Sequence, residues 1–555
     1  MFTSILNRRL ILWASSNDVI TDAQFGFQPM LGTTEAIFVL HCLVTQTLHN
    51  KKRFYCCFVD YKKAFDSINR EKLYKKLKYY GIQGKLLTVV RSMYSRIRTC
   101  VKSSGCISQF FENNVGLLQG EVLSPLFFTL YVNDLENEFT KRGNTPTELQ
   151  LLSLYLLMYA DDMVLFSESI SELQNMLNTL QNYTTEWSLD VNVQKTKVVV
   201  FRNGGKIHNN EKWSYSGENV EIVDQFVYLG VMINFNGKFF VTQKQLAAQG
   251  RKAMFALKST MKQLYLNHCT LLSLFDTYVC TILNYGCEVW GSHRGPDIEK
   301  VHLEFLRYVL GVRKNTNTSM VYFETGRLPL YFTRIFRMFK FWFKMMQSEN
   351  CILRASYECL YRLCENSKKY CSSWVSFIKE QLYCLGLGYI WNDQNCINSH
   401  VCLPIIRQRL KDHFIQNLQS KIQCEAKCYM YKYLVDNFCL QFYLEKSIPK
   451  LYKKCITKIR VSSHNLCIES GRHKNIPRDK RFCKTCTSTI EDEYHFILVC
   501  PVYKELRSKF LKKYYWGKPS MFKLIRLLSV NNVKELCNLG KYIFRALSLR
   551  TNSNM

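Results

Sequence analysis

Leu154-Tyr155-Leu156-Leu157-Met158-Tyr159-Ala160-Asp161-Asp162-Met163-Val164-Leu165-Phe166 consists of two apolar runs of strand length joined by an acidic pair. Apolar runs this short predict two strands of a hairpin with carboxylates at its tip. Two adjacent aspartates in so apolar a setting repel each other and lose hydration, a cost that a bound cation removes. A lone Asp-Asp pair more often marks an ordinary turn, so the surrounding sequence has to decide. Upstream, Phe54-Tyr55-Cys56-Cys57-Phe58-Val59 reads as another strand and ends on Asp60, and apolar residues at helical spacing follow from Arg70 to Tyr80. If the two strands lie side by side, Asp60 is expected to meet Asp161 across the sheet. Asp60, Asp161 and Asp162 could then hold two Mg²⁺ ions, with Mn²⁺ as a substitute, through oxygen ligands.

Composition points to a polyanionic partner. The 555 residues carry 75 Lys+Arg against 44 Asp+Glu, a formal net charge of +31, and residues 51–100 alone hold 14 Lys+Arg and 3 Asp+Glu. Such a balance suits nucleic acid, although an anionic membrane surface would attract the same charge. At 47% hydrophobic residues the chain has ample material for buried cores. The 24 Cys are scattered along a long chain whose opening does not read as a secretory leader, which favours a reducing compartment, nucleus or cytoplasm, over secretion. Leu149 to Ala160, the longest uncharged apolar stretch, is too short to span a bilayer, so no membrane partner is expected.

Residues 1–240 alternate short apolar strands with amphipathic helices, 241–450 read as mostly helical, 451–515 form a basic Cys/His module, and 516–555 read as a helical tail with a polar end, Thr551-Asn552-Ser553-Asn554-Met555. Phe58-Val59-Asp60-Tyr61-Lys62-Lys63-Ala64-Phe65-Asp66 and Tyr159-Ala160-Asp161-Asp162 resemble motifs A and C of non-LTR retrotransposon (LINE-type) reverse transcriptases. Asp22-Ala23-Gln24-Phe25-Gly26-Phe27 is similar to that family's fingers motif. Gly116-Leu117-Leu118-Gln119-Gly120 through Ser124-Pro125 resembles motif B, Asn192-Val193-Gln194-Lys195-Thr196-Lys197 motif D, and Tyr228-Leu229-Gly230 motif E. The order of these segments is the family's order.

The resemblance implies an α+β right-hand polymerase: palm and partial fingers in residues 1–240, helical thumb and connector in 241–450, then the Cys/His module. It implies RNA-templated extension of a DNA primer with deoxynucleoside triphosphates, by a two-metal displacement at Asp60, Asp161 and Asp162. By the same resemblance Phe65 is the steric gate against a ribose 2′-hydroxyl, and Gln119 with Gly120 positions template or incoming base. Lys195 would protonate the leaving pyrophosphate, with Lys197 as a substitute. Ser124 and Pro125 need no functional role, since Ser as N-cap and Pro at N1 make a good helix start.

Cys483, Cys486, His495 and Cys500 give C-x₂-C-x₈-H-x₄-C, a sound tetrahedral set for a structural Zn²⁺, flanked by basic residues such as Arg478-Asp479-Lys480-Arg481 that could grip phosphates. The pattern is similar to the C-terminal motif of many LINE-type proteins. Gln28 and Leu31 stand where the family often has Arg, and the basic segment usual upstream of this region is not in the sequence, so the chain reads as truncated at its N-terminus. Two other readings stay open: a catalytically defective, element-derived nucleic-acid-binding remnant, and a group II intron-like maturase.

Overall fold

The computed structural model describes residues 1–262, 264–366, 373–394, 398–435, 437–487 and 489–552; the last three residues of the polar C-terminal stretch lie outside that range. The chain forms two compact units. The first comprises Met1–Thr242, Gly286–Ser292 and Arg337–Gln381, the second Gln243–Tyr285, His293–Phe336 and Leu382–Met555.

The first unit is built around a five-stranded sheet. Its strands are β1 (Phe54–Val59), β2 (Leu156–Tyr159), β3 (Asp162–Ser167), β4 (Lys197–Phe201) and β5 (Glu221–Ile222), in the order β5-β4-β1-β3-β2. Every residue of β1 is buried, as expected of a central strand covered on both faces, and the apolar run 54–59 is that strand. It pairs antiparallel with β4, Phe54 opposite Phe201, and with β3, Tyr55 opposite Ser167 and Val59 opposite Met163.

The helices that frame this sheet are α1 (Thr33–His49), α2 (Arg70–Tyr79), α3 (Ser124–Val132) and α4 (Ile170–Trp187). Asn69 caps α2 by accepting from the Lys72 amide at 3.1 Å, and Ser169 caps α4 by accepting from the Glu172 amide. Ser124 does not serve as the expected cap. It is the first residue of α3, Leu123 holds the cap position, and the Ser124 hydroxyl instead donates to the Leu118 carbonyl at 2.7 Å. Glu121 turns back to accept from the Leu123 amide at 2.7 Å, one residue ahead of the helix.

A polar knot ties α2 to α4. The ammonium of Lys76, 2% exposed, bonds to Asp134 and to the Tyr183 hydroxyl and lies 3.7 Å from the centre of the Trp187 ring. Burial pulls its pKa down to about 8, with Asp134 acting in the opposite direction.

The second unit is helical over most of its described length. Among its helices, Lys450–Arg460 packs on Val533–Asn552 and Thr318–Thr325 on Ser399–Cys424. Its centre is a buried charge: Glu324 accepts from Arg460 Nε at 2.7 Å, from the Tyr431 hydroxyl at 2.7 Å and from the Tyr443 hydroxyl at 2.6 Å. With its lone pairs filled in this way, the carboxylate is satisfied in the interior.

Removing Lys76 leaves Asp134 beside aromatic rings without its cation. Lys76→Ala is expected to destabilise the first unit by about 3 kcal/mol, measured as a shift of the urea midpoint. An unchanged midpoint would show the knot to be dispensable.

Candidate functional site

Tyr159 and Asp162 are the last paired residues of the β2–β3 hairpin, so Ala160 and Asp161 form its two-residue turn. Ala160 sits at φ 57°, a left-handed conformation unusual for a residue with a Cβ. It is held there from behind. The buried Gln24 Oε1 accepts from the Gly26 amide at 2.8 Å and from the Ala160 amide at 3.2 Å, while Phe25 N donates to Met158 O and Met158 N to Ala23 O, each at 2.8 Å. The segment expected to be a fingers motif thus runs as an extra edge along β2 and braces the acidic turn. A Cβ on Gly26 would lie 2.3 Å from the Ala160 nitrogen, so only glycine permits this approach.

The strand pairing brings Asp60 to the same place, one register position away from the expectation. With Val59 opposite Met163, the residue facing Asp60 is Asp162, not Asp161, because Asp161 belongs to the turn. Asp60 is fixed by its backbone: its amide donates to Thr196 Oγ1 at 3.2 Å, and its carbonyl accepts from Asn192 N at 2.7 Å. Asp162 is solvent-accessible, yet protein packs closely enough on one side to push its carboxyl up to about 6, with Asp161 and Asp60 adding to the shift. A carboxyl such as Asp162, which resists its own charge beside two other acids, is chemically matched to a divalent cation. The three aspartates are not drawn into one tight ligand knot. Among the described residues, only the C-terminal Cys/His set brings three or more ligand atoms within 4.8 Å of one another.

Asp60 and Asp162 border a cleft of about 710 Å³ whose lining also includes Lys195, Lys197, Phe226 and Tyr228. Lys195 Nζ stands 3.9 Å from Asp60 Oδ2 on a side chain that is 70% exposed. Lys197 is engaged elsewhere, 2.6 Å from Glu221. The opposite wall is the hairpin of β6 (Gln225–Tyr228) and β7 (Val231–Asn234), whose turn residues Leu229 and Gly230 both have positive φ. Its Phe226 ring stacks on Phe58, centroids 4.4 Å apart.

Phe65 lies in the loop between β1 and α2, half-buried, with its ring stacked on Phe128 of α3 at 4.8 Å. Gln119 is exposed and donates Nε2–H to Asp66 Oδ1 at 3.2 Å, and Gly120 has φ 86° with open space around the position of a Cβ. The two loops are sewn together, Leu117 N donating to Phe65 O at 2.8 Å. Sequence reading picked out the loop residues but missed the roles of Gln24, Gly26, Thr196 and Phe226. Gln24 and Gly26 stood in a quoted motif without any signal that they hold the turn.

In the second unit, one ligand atom from each of Cys483, Cys486, His495 and Cys500 falls in that single cluster, and Cys483, His495 and Cys500 are buried. His495 Nε2 lies 3.3 Å from Cys486 Sγ, and its Nδ1 is 2.7 Å from Thr489 Oγ1. The threonine orients the ring, as outer partners of metal-ligating histidines do. Three thiols and an imidazole of this geometry fit a tetrahedral Zn²⁺.

The sheet with aspartates at one end of its central strands lies in the part of the chain that resembles known proteins. The family described as reverse transcriptase (RNA-dependent DNA polymerase) matches residues 2–233. The RNA-directed DNA polymerase from mobile element jockey of Drosophila funebris is 24% identical over 323 residues, 56% of this chain and 34% of its own. The probable RNA-directed DNA polymerase from transposon BS of Drosophila melanogaster is 27% identical over 303 residues, 50% of this chain and 31% of its own. The Pol polyprotein of the type-2 retrotransposable element R2DM of Drosophila melanogaster is 27% identical over 230 residues, 39% and 21% of the two chains. Among solved structures, apo telomerase from Candida Tropicalis aligns with a TM-score of 0.32 and 16% identity over 64% of this chain and 61% of that one. Residues 2–233 thus resemble a reverse transcriptase domain, and the relatives named above are polymerases and a Pol polyprotein of mobile elements. The matches to the curated relatives span about a third of their length or less. Among the described residues no helix is long and apolar enough to cross a membrane.

Gly26→Ala forces a methyl group into the backbone of the acidic turn, where nothing flexible can yield. The substitution is expected to lower the stability of the first unit by about 2–3 kcal/mol. Retention of the wild-type denaturation midpoint would contradict the close approach.

Proposed function

We propose that this chain is an RNA-directed DNA polymerase, extending a DNA primer 3′-hydroxyl on an RNA template with deoxynucleoside triphosphates. The observation that carries the reading is the pairing of β1 with β3, which brings Asp60 to the acidic pair Asp161–Asp162 at the hairpin tip. In this reading the three carboxylates hold two Mg²⁺, with Mn²⁺ able to substitute. When bound, the ions lower the pKa of the attacking hydroxyl and neutralise charge on the triphosphate and leaving pyrophosphate.

The chain's own side chains bind and orient. Lys195, exposed at the cleft beside Asp60, donates a proton where negative charge accumulates. Phe65, its ring held by stacking on Phe128, acts as the gate against a ribose 2′-hydroxyl. Gln119 exchanges its bond to Asp66 for the template or incoming base, and Gly120 lets the backbone at that point come close. The basic surface supplies sequence-independent hold on the nucleic-acid backbone. Cys483, Cys486, His495 and Cys500 hold Zn²⁺ in a structural role, since four ligands leave no open position. We place this activity in the nucleus or cytoplasm.

The test is Mg²⁺-dependent primer extension by the full chain on an RNA template. Asp162→Asn is expected to lower the rate about 10³-fold or more, several kcal/mol of transition-state stabilisation, while thermal stability without metal stays the same or rises slightly because a repulsion is removed. Extension at the wild-type rate would refute the assignment of the aspartates. For the C-terminal set, the full chain purified under reducing conditions is expected to carry a single Zn²⁺ by elemental analysis, absent from the Cys486→Ser, Cys500→Ser double variant. A metal-free wild-type chain would overturn it.

A further inference from the structure

Arg70 opens α2, directly after the loop that carries Asp60 and Phe65. A cation in the first turn of a helix faces the positive end of the helix dipole, so local preference argues against it there. The side chain is nevertheless buried, with the residue 8% exposed. Its guanidinium donates from Nε to Gly116 O at 3.0 Å, from Nη1 to Tyr94 O at 3.2 Å and Asn113 O at 2.6 Å, and from Nη2 to Val115 O at 3.1 Å. Its face lies 5.3 Å from the centre of the Tyr94 ring. A desolvated charge satisfied by backbone carbonyls is costly to install. Only the planar fork of arginine can gather so many carbonyls at once.

The carbonyls it gathers include three from the stretch leading into the Gln119 loop. Gly116 has φ 84°, and a Cβ there would lie 2.7 Å from Asp66 O. Gly116 N donates to Ile68 O at 2.8 Å and Leu117 N to Phe65 O at 2.8 Å. Two residues on, Gln119 Nε2 meets both Asp66 oxygens, at 3.2 and 3.3 Å. One guanidinium therefore clamps the segment that spaces the Phe65 loop from the Gln119 loop, without itself reaching the cleft lined by Asp60 and Asp162.

We propose that Arg70 is a positioning residue for nucleotide selection: by fixing residues 113–117 it sets the gap between the Phe65 ring and the Gln119–Gly120 loop, and through that gap the tightness of deoxynucleotide binding and the exclusion of ribonucleotides. This rests on the polymerase reading above. Misplacement of a binding group by as little as an ångström is enough to change such discrimination strongly. Arg70 acts through the two loops, so its loss acts on nucleotide affinity and sugar choice more than on the chemical step.

The experiment is single-nucleotide incorporation by the full chain with primer, RNA template and Mg²⁺, comparing a deoxynucleotide with its ribonucleotide. Arg70→Lys keeps the charge, but its donors radiate from one nitrogen and cannot span the four carbonyls. It is expected to raise KM for the deoxynucleotide about 10-fold and to lower the deoxy-over-ribo preference about 10-fold, with kcat within about 3-fold of wild type. Arg70→Gln exceeds it in both. Leu180→Ala, a truncation of a fully buried side chain in α4, serves as the stability control: it lowers the melting temperature at least as much as Arg70→Lys and leaves KM and sugar preference unchanged. An Arg70→Lys protein with wild-type KM and preference overturns the proposal while wild-type extension upholds the polymerase reading, and equal changes in Leu180→Ala also overturn it. A folded wild-type chain that extends no primer at all defeats both.

Discussion

The antiparallel pairing of β1 with β3 is the constraint on which the rest of the site depends. A strand register is all or nothing: a slip of one residue turns every side chain to the other face. Here both faces of β1 are buried, and the strand is pinned by β4 on one side and β3 on the other. The end of β1 is also tied by its backbone to the Asn192–Thr196 turn. Asp60 consequently has one place to go, across from Asp162, and that place is the mouth of a cleft walled by Phe226 and Tyr228.

Around that register the protein spends local strain and polar burial on fixed positions. Ala160 is held in a left-handed conformation by a single side-chain oxygen of Gln24, and Gly26 is kept bare so that the turn can sit against it. Asp162 is held beside two other carboxylates, against its own preference for charge in water. Each feature runs against stability when considered alone. Their concentration at one end of one hairpin is what the cation site proposed above requires. The second unit follows the opposite rule at Glu324, where a buried charge is fully satisfied by Arg460, Tyr431 and Tyr443 and serves packing.

Much of this was legible in the sequence. The run 54–59 is a strand because six consecutive apolar residues with aromatic and β-branched members fit a sheet interior. The helix from Arg70 announces itself by its spacing. The Cys/His spacing named its four ligands, and the structure draws their ligand atoms together. The partner of Asp60 was misread by one position because the turn is Ala160-Asp161, and alanine at a positive φ gives no local signal of a two-residue turn, as Asn-Gly would. Ser124 was misread as a cap because the helix starts one residue early, with Leu123 at the cap position and the Ser124 hydroxyl turned to the Leu118 carbonyl. Gln24 and Arg70 were illegible in principle: their partners are 136 and up to 46 residues away, and no local pattern encodes a long-range polar hub. The return of residues 286–292 and 337–381 to the first unit is likewise long-range packing, which periodicity within a helix does not report.

The most direct measurement of the central claim is Mn²⁺ binding to the full chain with primer, template and a non-reactive deoxynucleotide, followed by electron paramagnetic resonance. If Asp60, Asp161 and Asp162 form one divalent-ion site through the β1–β3 pairing, the wild-type chain binds two Mn²⁺ in that complex, and Asp60→Asn, altered on the other strand from the acidic pair, loses them although the pair itself is intact. Equal Mn²⁺ binding by wild type and Asp60→Asn would contradict the account.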